Sequence, residues 1–248
     1  MTHIAIIGGS GLDALDALEE VREIRSITRY GQPSGSIFQG RLENTELYFL
    51  ARHGNAHTIP PHRINYRANI AALADLGVTD ILAITAVGGI SPTTPPRKIV
   101  IPDQIIDYTY GREHTFSDGL EGAVAHTDFT FPFTERIRQE LILAAATSGI
   151  NIERDGVYGA TQGPRLETAA EISRMVVDGC TIVGMTGMPE AGLAREAKLN
   201  YANCSLVVNW AAGCGTGIID LLEIEQHLHM GIAEVLTLAK SWLARHRS

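Results

Sequence analysis

The sequence predicts an α/β fold in which helices cover both faces of a mostly parallel β-sheet. Short apolar segments of strand length alternate along the chain with longer segments that repeat their apolar residues at helical spacing. The 248 residues are 45% hydrophobic and 19% charged, which is typical of one globular domain. Since no repeat, linker or low-complexity tract interrupts the alternation, we expect a single domain over residues 1–248.

Seven segments are predicted to be strands and five to be helices. In chain order the predicted strands are IAIIGG, LYFLAR, ILAITAVGG, KIVIPDQIID, GVYGAT, IVGMTG and SLVVN. The predicted helices are YRANIAALADLG, ERIRQELILAAATSG, ETAAEISRMVVDG, PEAGLAREA and a long segment from about Leu221 to Arg245. The polar region Tyr108–Asp128 lacks periodicity, so it is either a functional or subunit-contact loop or a simple surface excursion.

Charge and composition exclude several classes of function. The net charge is −8, and no run of Lys or Arg interrupts the acidic balance, which argues against nucleic acid as a partner. No apolar run approaches the roughly 20 residues of a membrane helix, and the start MTHIAIIGG lacks signal-peptide features, so we expect a cytoplasmic protein. Cys180, Cys204 and Cys214 lack metal-site spacing, which predicts reduced thiols and no metal site.

The first strand opens into the glycine-rich loop of IAIIGGSGL. Glycines after a strand allow backbone amides to approach an anion, and Ser10 adds a hydroxyl donor. Gly9, Gly11 and Ala14 also satisfy the dinucleotide pattern G-x-G-x-x-A, although no clear acidic residue follows about 20 positions later. A tight turn, a phosphate loop and a dinucleotide loop therefore all remain open for this segment.

Two further strand ends carry candidate ligand groups. Arg52 and His53 directly follow LYFLA, and an arginine at this place suits bidentate phosphate contacts. The alternative is a solvated arginine beside a histidine that the backbone satisfies. In ITAVGGI, Thr85 offers a hydroxyl to phosphate or sugar and Ala86 leaves room for a ligand ring, unless both are simply small residues required by packing.

Three polar or polarisable side chains at later strand ends have no local explanation. Proline and acid at a helix start are ordinary capping chemistry, which explains Pro189 and part of Glu190. Capping does not explain Met185 and Thr186, since a thioether can cover a sugar face and a hydroxyl can contact phosphate. Asn209 ends an apolar strand, and a buried amide requires a hydrogen-bonding partner.

Eight motifs in sequence order resemble the purine nucleoside phosphorylase and methylthioadenosine phosphorylase family over roughly residues 4–240. They are GGSG, RHG followed by His57, NYRAN, TAVGG, DQIID, QGPRLET, MTGMPE and VVNWAAG. The resemblance implies one α/β domain around a central twisted mixed β-sheet, assembled as a homotrimer with sites near the subunit interfaces. It implies phosphorolysis, in which inorganic phosphate attacks C1′ of a nucleoside, and it implies no metal or organic cofactor.

The resemblance also assigns roles to individual positions. The implied phosphate site comprises Ser10, Arg52, His53, Thr85, Ala86 and Thr186. The implied purine site comprises Leu166, Glu167 and Asn209. The implied ribose and 5′ site comprises Met185, Leu221, Leu222, Ile224 and, from a neighbouring subunit, His126. Asn209 and His53 are the expected catalytic residues, with Asn209 donating to the purine as negative charge develops there.

The base-reading positions predict a 6-oxopurine. Family members that accept 6-aminopurines carry Asp at the position of Asn209 and a second Asp two residues later, where this chain has Ala211. An asparagine amide can donate to a 6-oxo group, and Glu167 can accept from N1–H, which adenine lacks. A site built for N1–H is expected to reject adenine strongly.

The start of the last helix predicts the 5′ preference. Phosphorylases of this fold that bind a 5′-hydroxyl use a histidine there, whereas GIIDLLEIEQ offers an apolar wall that suits a methylthio group, unless its leucines form the core face of the helix. The expected salvage reaction converts S-methyl-5′-thioinosine to hypoxanthine and 5-methylthio-α-ribose 1-phosphate. The alternatives are inosine and guanosine phosphorolysis, methylthioadenosine phosphorolysis with altered base contacts, a non-catalytic nucleoside-binding protein, and a dinucleotide oxidoreductase.

Overall fold

A computed structural model describes residues 3–9, 18–117, 119 and 126–246. The described strands are β1 (Ile4–Gly8), β2 (Glu19–Ile24), β3 (Ile37–Leu42), β4 (Thr45–Ala51), β5 (Asp80–Gly89), β6 (Ile99–Val100), β7 (Gln104–Asp107), β8 (Ile152–Glu153), β9 (Val157–Ala160), β10 (Ile182–Gly184) and β11 (Asn200–Trp210). The helices are α1 (Tyr66–Asp75), α2 (Glu135–Ser148), α3 (Ala169–Val177), α4 (Gly187–Glu196) and α5 (Leu221–Leu243). Single 3₁₀ turns span Pro61–Arg63 and Ala244–His246.

The strands form one mixed sheet with the order β2-β3-β4-β1-β5-β10-β9-β7, and β11 continues it from β5 to β6 and β8. The α/β class, the mixed central sheet and the five helices confirm the prediction. β1 runs parallel to β4 and β5, and β11 runs parallel to β5, whereas β10 runs antiparallel to β5. The carboxyl ends of β1, β4, β5 and β11 therefore meet at one edge of the sheet.

The sheet is less parallel than the alternation of strands and helices suggested. Strands β2 and β3, which form the antiparallel pairs β2–β3 and β3–β4, lie on segments that were not predicted as strands. Every residue of β2 is exposed or only partly buried, so that strand lacks the apolar signal that identifies strands in a sequence. The predicted strand KIVIPDQIID is divided into β6 and β7 around Pro102, which has no N–H for a sheet hydrogen bond.

Two apolar cores cover the faces of the sheet. Alternate residues of β5 enter opposite cores: Leu82 packs with α2 and α5, and Ile81 packs with α1 and α4. Trp242 of α5 is fully buried in the first core and Leu73 of α1 in the second. Because both faces are covered, the loops at the carboxyl edge of the sheet are held in place from both sides. Within the described part of the chain, no helix is long and apolar enough to cross a membrane.

Candidate active site

A cavity of about 410 Å³ opens at the carboxyl edge of the sheet, where the ends of β4, β5 and β11 meet β10. Ten of the predicted site residues line it: Arg52, His53, Thr85, Ala86, Leu166, Glu167, Met185, Thr186, Asn209 and Ile224. These residues come from segments far apart in the chain. The described residues thus include one site that joins the three groups that were predicted to contact phosphate, ribose and purine.

Arg52 lies at one end of the cavity in a wholly buried ion pair. Its Nε donates to Oε2 of Glu190 at 2.7 Å and its Nη2 to Oε1 at 2.8 Å, while its Nη1 donates to the carbonyl oxygen of Ile84. Burial acts to lower the pKa of the guanidinium, but the charge and hydrogen bonds of Glu190 outweigh it and raise the pKa. Tyr201 Oη donates to Glu190 as well. Arg52 is therefore a fixed group and not a solvated one.

His53 is held in a single tautomer by the backbone. Its Nδ1 lies 2.8 Å from the carbonyl oxygen of Ile59, and a carbonyl only accepts, so Nδ1 carries the hydrogen. Burial lowers the pKa of the imidazole to about 4, with further lowering by Arg52 and His57 against the raising effect of the Ile59 carbonyl. The ring is neutral at pH 7. Among the residues with described coordinates Nε2 forms no hydrogen bond, which leaves it as a lone-pair acceptor.

Thr85 belongs to a buried hydroxyl and amide network behind the cavity wall. Its Oγ1 lies 3.0 Å from Asn203 Oδ1 and 3.1 Å from Ser205 Oγ, and Ser205 Oγ also donates to Asn203 Oδ1 at 2.7 Å. Since Ser205 satisfies the amide oxygen by itself, Thr85 is able to turn its hydrogen toward a ligand in the cavity. The parallel register of β5 and β11 pairs Thr85 with Ser205.

Glu167 and Asn209 lie on opposite segments of the cavity lining, and each has part of its hydrogen-bonding capacity satisfied by the protein. Glu167 Oε1 accepts from Thr161 Oγ1 at 2.6 Å, which fixes the carboxylate just before α3. Asn209 follows a register irregularity in β11, after Val207, and its Nδ2 donates to the carbonyl oxygen of Trp210 at 2.7 Å. With respect to the described residues, one carboxylate oxygen of Glu167, one amide hydrogen of Asn209 and its Oδ1 remain for a ligand.

Met185 follows β10 and lies directly against Gly163. Gly163 has φ +58°, and a Cβ atom built on it would lie 2.5 Å from Met185 Sδ. Only glycine combines this left-handed backbone with the close approach of the thioether. The contact fixes the Met185 side chain within the cavity lining, next to Thr186.

The three residues predicted at the 5′ end are separated by the structure. Ile224 lines the cavity and packs against the core, whereas Leu221 and Leu222 are 70% and 66% exposed in the first turn of α5 and do not line it. The apolar wall is therefore narrower than the sequence suggested. His227 of α5 contacts the Val208 carbonyl through Nδ1 and lines an adjacent cavity of about 310 Å³ instead.

The two remaining predicted residues are His126 and Ser10. His126 is exposed and is not part of the cavity lining. Ser10 lies outside the described residues, as do Gly11 and Ala14 of the glycine-rich pattern, while the preceding Gly9 does line the cavity.

Several site residues were not predicted from the sequence. Glu190 was explained in part as a helix cap, but both of its oxygens bind Arg52. Thr161 and Tyr201 hold carboxylates of the site, and Arg112 binds backbone oxygens of the segments around the cavity. The sequence signal for Glu190 was that helix capping explained it only in part, because its contact with Arg52 spans 138 positions and leaves no local pattern. The Arg112 guanidinium contacts residues 46 or more positions away, whereas Thr161 and Tyr201 bind acids 6 and 11 positions away that no sequence pattern paired with them.

The three cysteines, Cys180, Cys204 and Cys214, are free thiols. Across the ranges that the structure covers, no three His, Cys, Asp or Glu residues form a group able to hold a metal ion.

Comparison with known proteins places the chain among nucleoside-cleaving enzymes. The model of the phosphorylase superfamily matches residues 3–244. The chain is 51% identical over 246 residues to a probable S-methyl-5′-thioinosine phosphorylase from Pseudomonas syringae pv. tomato, a match that covers 99% of this chain and 98% of that protein. It is 49% identical over 218 residues to a 6-oxopurine nucleoside phosphorylase from Pyrococcus furiosus, covering 86% of this chain and 81% of the relative.

A solved structure supports the same relationship at the level of the fold. The methylthioadenosine phosphorylase from Schistosoma mansoni, in complex with adenine, superposes with a TM-score of 0.94 at 32% identity. The match covers 99% of this chain and 92% of that one.

Proposed function

Because the chain belongs to the phosphorylase superfamily, we propose that it catalyses the phosphorolysis of S-methyl-5′-thioinosine to hypoxanthine and 5-methylthio-α-ribose 1-phosphate. It is a phosphate-dependent purine nucleoside phosphorylase. The match over residues 3–244 removes the dinucleotide oxidoreductase from the alternatives. The proposal concerns the finer choice of base, sugar and residue roles.

The observation that carries the proposal is that Asn209 and Glu167 line one cavity, each with unused hydrogen-bonding capacity. The remaining amide hydrogen of Asn209 is suited to O6 or N7 of the purine, and the remaining oxygen of Glu167 is suited to N1–H. Hypoxanthine presents both groups, whereas adenine has neither a 6-oxo group nor N1–H. Leu166 at the rim then packs on the face of the ring.

The chemistry depends on charge that appears only as the glycosidic bond breaks. The sugar becomes cationic and the purine anionic, so bound phosphate stabilises the sugar while Asn209 stabilises the base. Phosphate is both nucleophile and counter-charge. Holding it in line with C1′ supplies a proximity effect worth up to roughly 7 to 11 kcal/mol in ideal cases.

Phosphate binds at the Arg52 end of the cavity through hydrogen bonds more than through net charge. Glu190 balances the Arg52 guanidinium, whose remaining N–H groups act together with the hydroxyls of Thr85 and Thr186. Nε2 of His53 is an acceptor, so it cannot form a hydrogen bond to an unprotonated phosphate oxygen. It can accept a hydrogen bond from the one O–H group that the phosphate dianion retains. Ser10 and the Ala86 backbone complete the proposed phosphate contacts.

Ile224 supports a methylthio group at the 5′ end. It is the one member of the predicted apolar wall that lines the cavity, and a 5′-hydroxyl beside it gains no partner from this side chain. Met185 packs under the ribose. Inosine and guanosine phosphorolysis is the second candidate, because Leu221 and Leu222 leave the wall incomplete and the Pyrococcus relative bears the name of a 6-oxopurine nucleoside phosphorylase.

Assembly and location complete the proposal. The chain acts as a cytoplasmic homotrimer with inorganic phosphate as its co-substrate and without a metal or organic cofactor. The exposed position of His126, outside its own cavity, supports a contact in which His126 of the partner subunit reaches the 5′ end of the substrate.

One substrate panel tests the base and the sugar together. Release of free base is measured with and without phosphate for methylthioinosine, methylthioadenosine, inosine and guanosine. Methylthioinosine is expected to exceed methylthioadenosine in kcat/KM by about 10⁴, because adenine leaves buried polar groups unpaired. Comparable rates for methylthioinosine and methylthioadenosine would contradict the assignment of a 6-oxopurine base. Faster cleavage of inosine than of methylthioinosine would favour the second candidate.

The variant Asn209→Asp tests the same assignment from the protein side. A carboxylate repels O6 unless it is protonated, and here it also faces the carbonyl oxygen of Trp210. Oxopurine turnover is expected to fall more than aminopurine turnover, which narrows the gap between the two nucleosides. An unchanged ratio with an unchanged fold would contradict the role of Asn209.

A further inference from the structure

Arg112 is a buried arginine that the mechanism above does not use. It lies in the irregular region Tyr108–Asp128 and its residue is only 8% exposed. Its Nε donates to Gln162 Oε1 at 3.2 Å, and its Nη2 donates to the carbonyl oxygens of Thr161 at 3.0 Å and Gln162 at 2.8 Å. These three bonds hold the segment that leads from β9 to the purine-side residue Glu167.

The other terminal nitrogen of Arg112 holds the opposite side of the cavity. Nη1 donates to the carbonyl oxygens of Met185 at 2.8 Å and Met188 at 2.6 Å, and it lies 3.2 Å from Tyr66 Oη. Tyr66 in turn donates to the carbonyl oxygen of Pro61, which lines the cavity. One guanidinium therefore joins three segments of the lining.

Within the described ranges, Arg112 is buried without a carboxylate partner, so its desolvation is offset less than that of the other buried arginines. Arg52 pairs with Glu190 and Arg138 pairs with Glu135, whereas Arg112 has no carboxylate within 4.0 Å among the described residues. A buried cation that is satisfied only by neutral oxygens contributes little net stability, since its desolvation is hardly offset. Its planar, five-donor geometry is what the bridge requires, and lysine lacks that geometry.

We infer that Arg112 is a positioning residue for nucleoside binding: its guanidinium sets the distance between the segment of Glu167 and the segment of Met185. The inference rests on the proposed function, because it assigns purine and ribose contacts to those two residues. Arg112 does not line the cavity and acts through the backbone of residues that do. Binding of phosphate depends less on Arg112, since Arg52 and His53 are fixed separately by Glu190 and Ile59.

The test compares Arg112→Lys with Arg138→Lys as a matched control. Arg138 is also buried, 6% exposed, and also donates to backbone carbonyls, those of Pro102 and Arg154, but it is not part of the cavity lining. For Arg112→Lys, the KM for nucleoside is expected to rise about tenfold or more while the KM for phosphate changes less than about threefold. Arg138→Lys is expected to leave both constants within about twofold of wild type.

Two further measurements distinguish a positioning role of Arg112 from a general loss of stability. Gln162→Met removes the side-chain oxygen that accepts from Arg112 Nε and from the Tyr110 N–H but keeps the backbone acceptors of Arg112, so it is expected to fold and to raise the nucleoside KM by about fivefold. The affinity for hypoxanthine, measured by calorimetry in the absence of turnover, is expected to fall in both Arg112→Lys and Gln162→Met. Equal effects of Arg112→Lys and Arg138→Lys, or unchanged nucleoside and hypoxanthine affinity in Gln162→Met, would overturn the inference.

The outcome also separates this inference from the proposed function. Wild-type protein that releases no base with phosphate contradicts the proposed function, and hypoxanthine binding still decides the role of Arg112. Wild-type protein that is active, with nucleoside and phosphate constants affected equally in Arg112→Lys, contradicts the inference alone.

Discussion

Glu190 receives two hydrogen bonds from Arg52, at 2.7 and 2.8 Å, in an ion pair that is shielded from solvent at one end of the cavity. Tyr201 donates a third hydrogen bond to the same carboxylate. The pair balances its own charge before any anion binds. The geometry of the guanidinium, more than its net charge, is therefore what this end of the cavity offers to an anion such as the proposed phosphate.

Arg52→Ala is expected to impair both phosphate use and stability. Loss of a charged hydrogen bond, worth roughly 1.5 to 3 kcal/mol, lowers kcat/KM for phosphate about tenfold or more. The carboxylate of Glu190 is left buried without its partner, which lowers the free energy of unfolding by about 3 to 5 kcal/mol. Steady-state kinetics with varied phosphate and urea denaturation measure the two effects.

The control for that prediction keeps the arginine and removes the acid. Glu190→Gln leaves the guanidinium in place without its counter-charge, so stability falls while the KM for phosphate does not rise. If Arg52→Ala leaves the phosphate kinetics unchanged, the assignment of Arg52 to phosphate is wrong.

His53 makes stability depend on pH in a defined window. Its folded-state pKa of about 4 lies below the ordinary histidine value of about 6.5, so between these values the unfolded chain binds more protons than the native protein. The contribution of this group to stability is complete above about pH 6.5 and is lost as the pH falls toward 4. Thermal melts from pH 4 to 8 are expected to show a shallower acid-side decline in His53→Gln than in wild type. Identical slopes would show that the ring is not held neutral.

Gly163→Ala is expected to weaken nucleoside binding more than its effect on stability explains. The new methyl group displaces Met185 Sδ, and the left-handed backbone at φ +58° costs alanine about 1 to 2 kcal/mol. Gly149→Ala is the matched control, because Gly149 has φ +68° and nothing within 4 Å of its added Cβ. Both variants lose comparable stability, but only Gly163→Ala raises the nucleoside KM. A normal KM in Gly163→Ala would argue against a ribose contact by Met185.

Ile224→Ser is expected to reduce the preference for a 5′-methylthio group. A hydrophobic contact of this size is worth roughly 1 to 3 kcal/mol, so the ratio of kcat/KM for methylthioinosine to that for inosine falls about tenfold or more. Leu222→Ser, in the exposed first turn of α5, leaves the ratio unchanged. Competition between the two nucleosides measures the ratio directly. Equal effects at both positions would remove Ile224 from the 5′ site.

Local order in the sequence determined the fold class and most of the candidate site. Arg52, Thr85 and Met185 each lie at or near a predicted strand end and within a few residues of a glycine. Such a signal is visible in the sequence because it spans only a few residues. Since parallel strands finish at one edge of a sheet, residues at those ends were expected to meet, and seven of them line one cavity together with Leu166, Glu167 and Ile224. The exposed strand β2 escaped prediction because it has no apolar face.

Tertiary structure decided which of these groups hold one another. Arg52 and Glu190 are 138 positions apart, and Arg112 reaches Met185 across 73, so no local pattern records either contact. Helical periodicity likewise could not tell that Ile224 lines the cavity while Leu221 and Leu222 remain exposed. Hydrogen bonds and packing between distant segments depend on how the loops are placed by the packed sheet, and that placement arises only when both cores have formed.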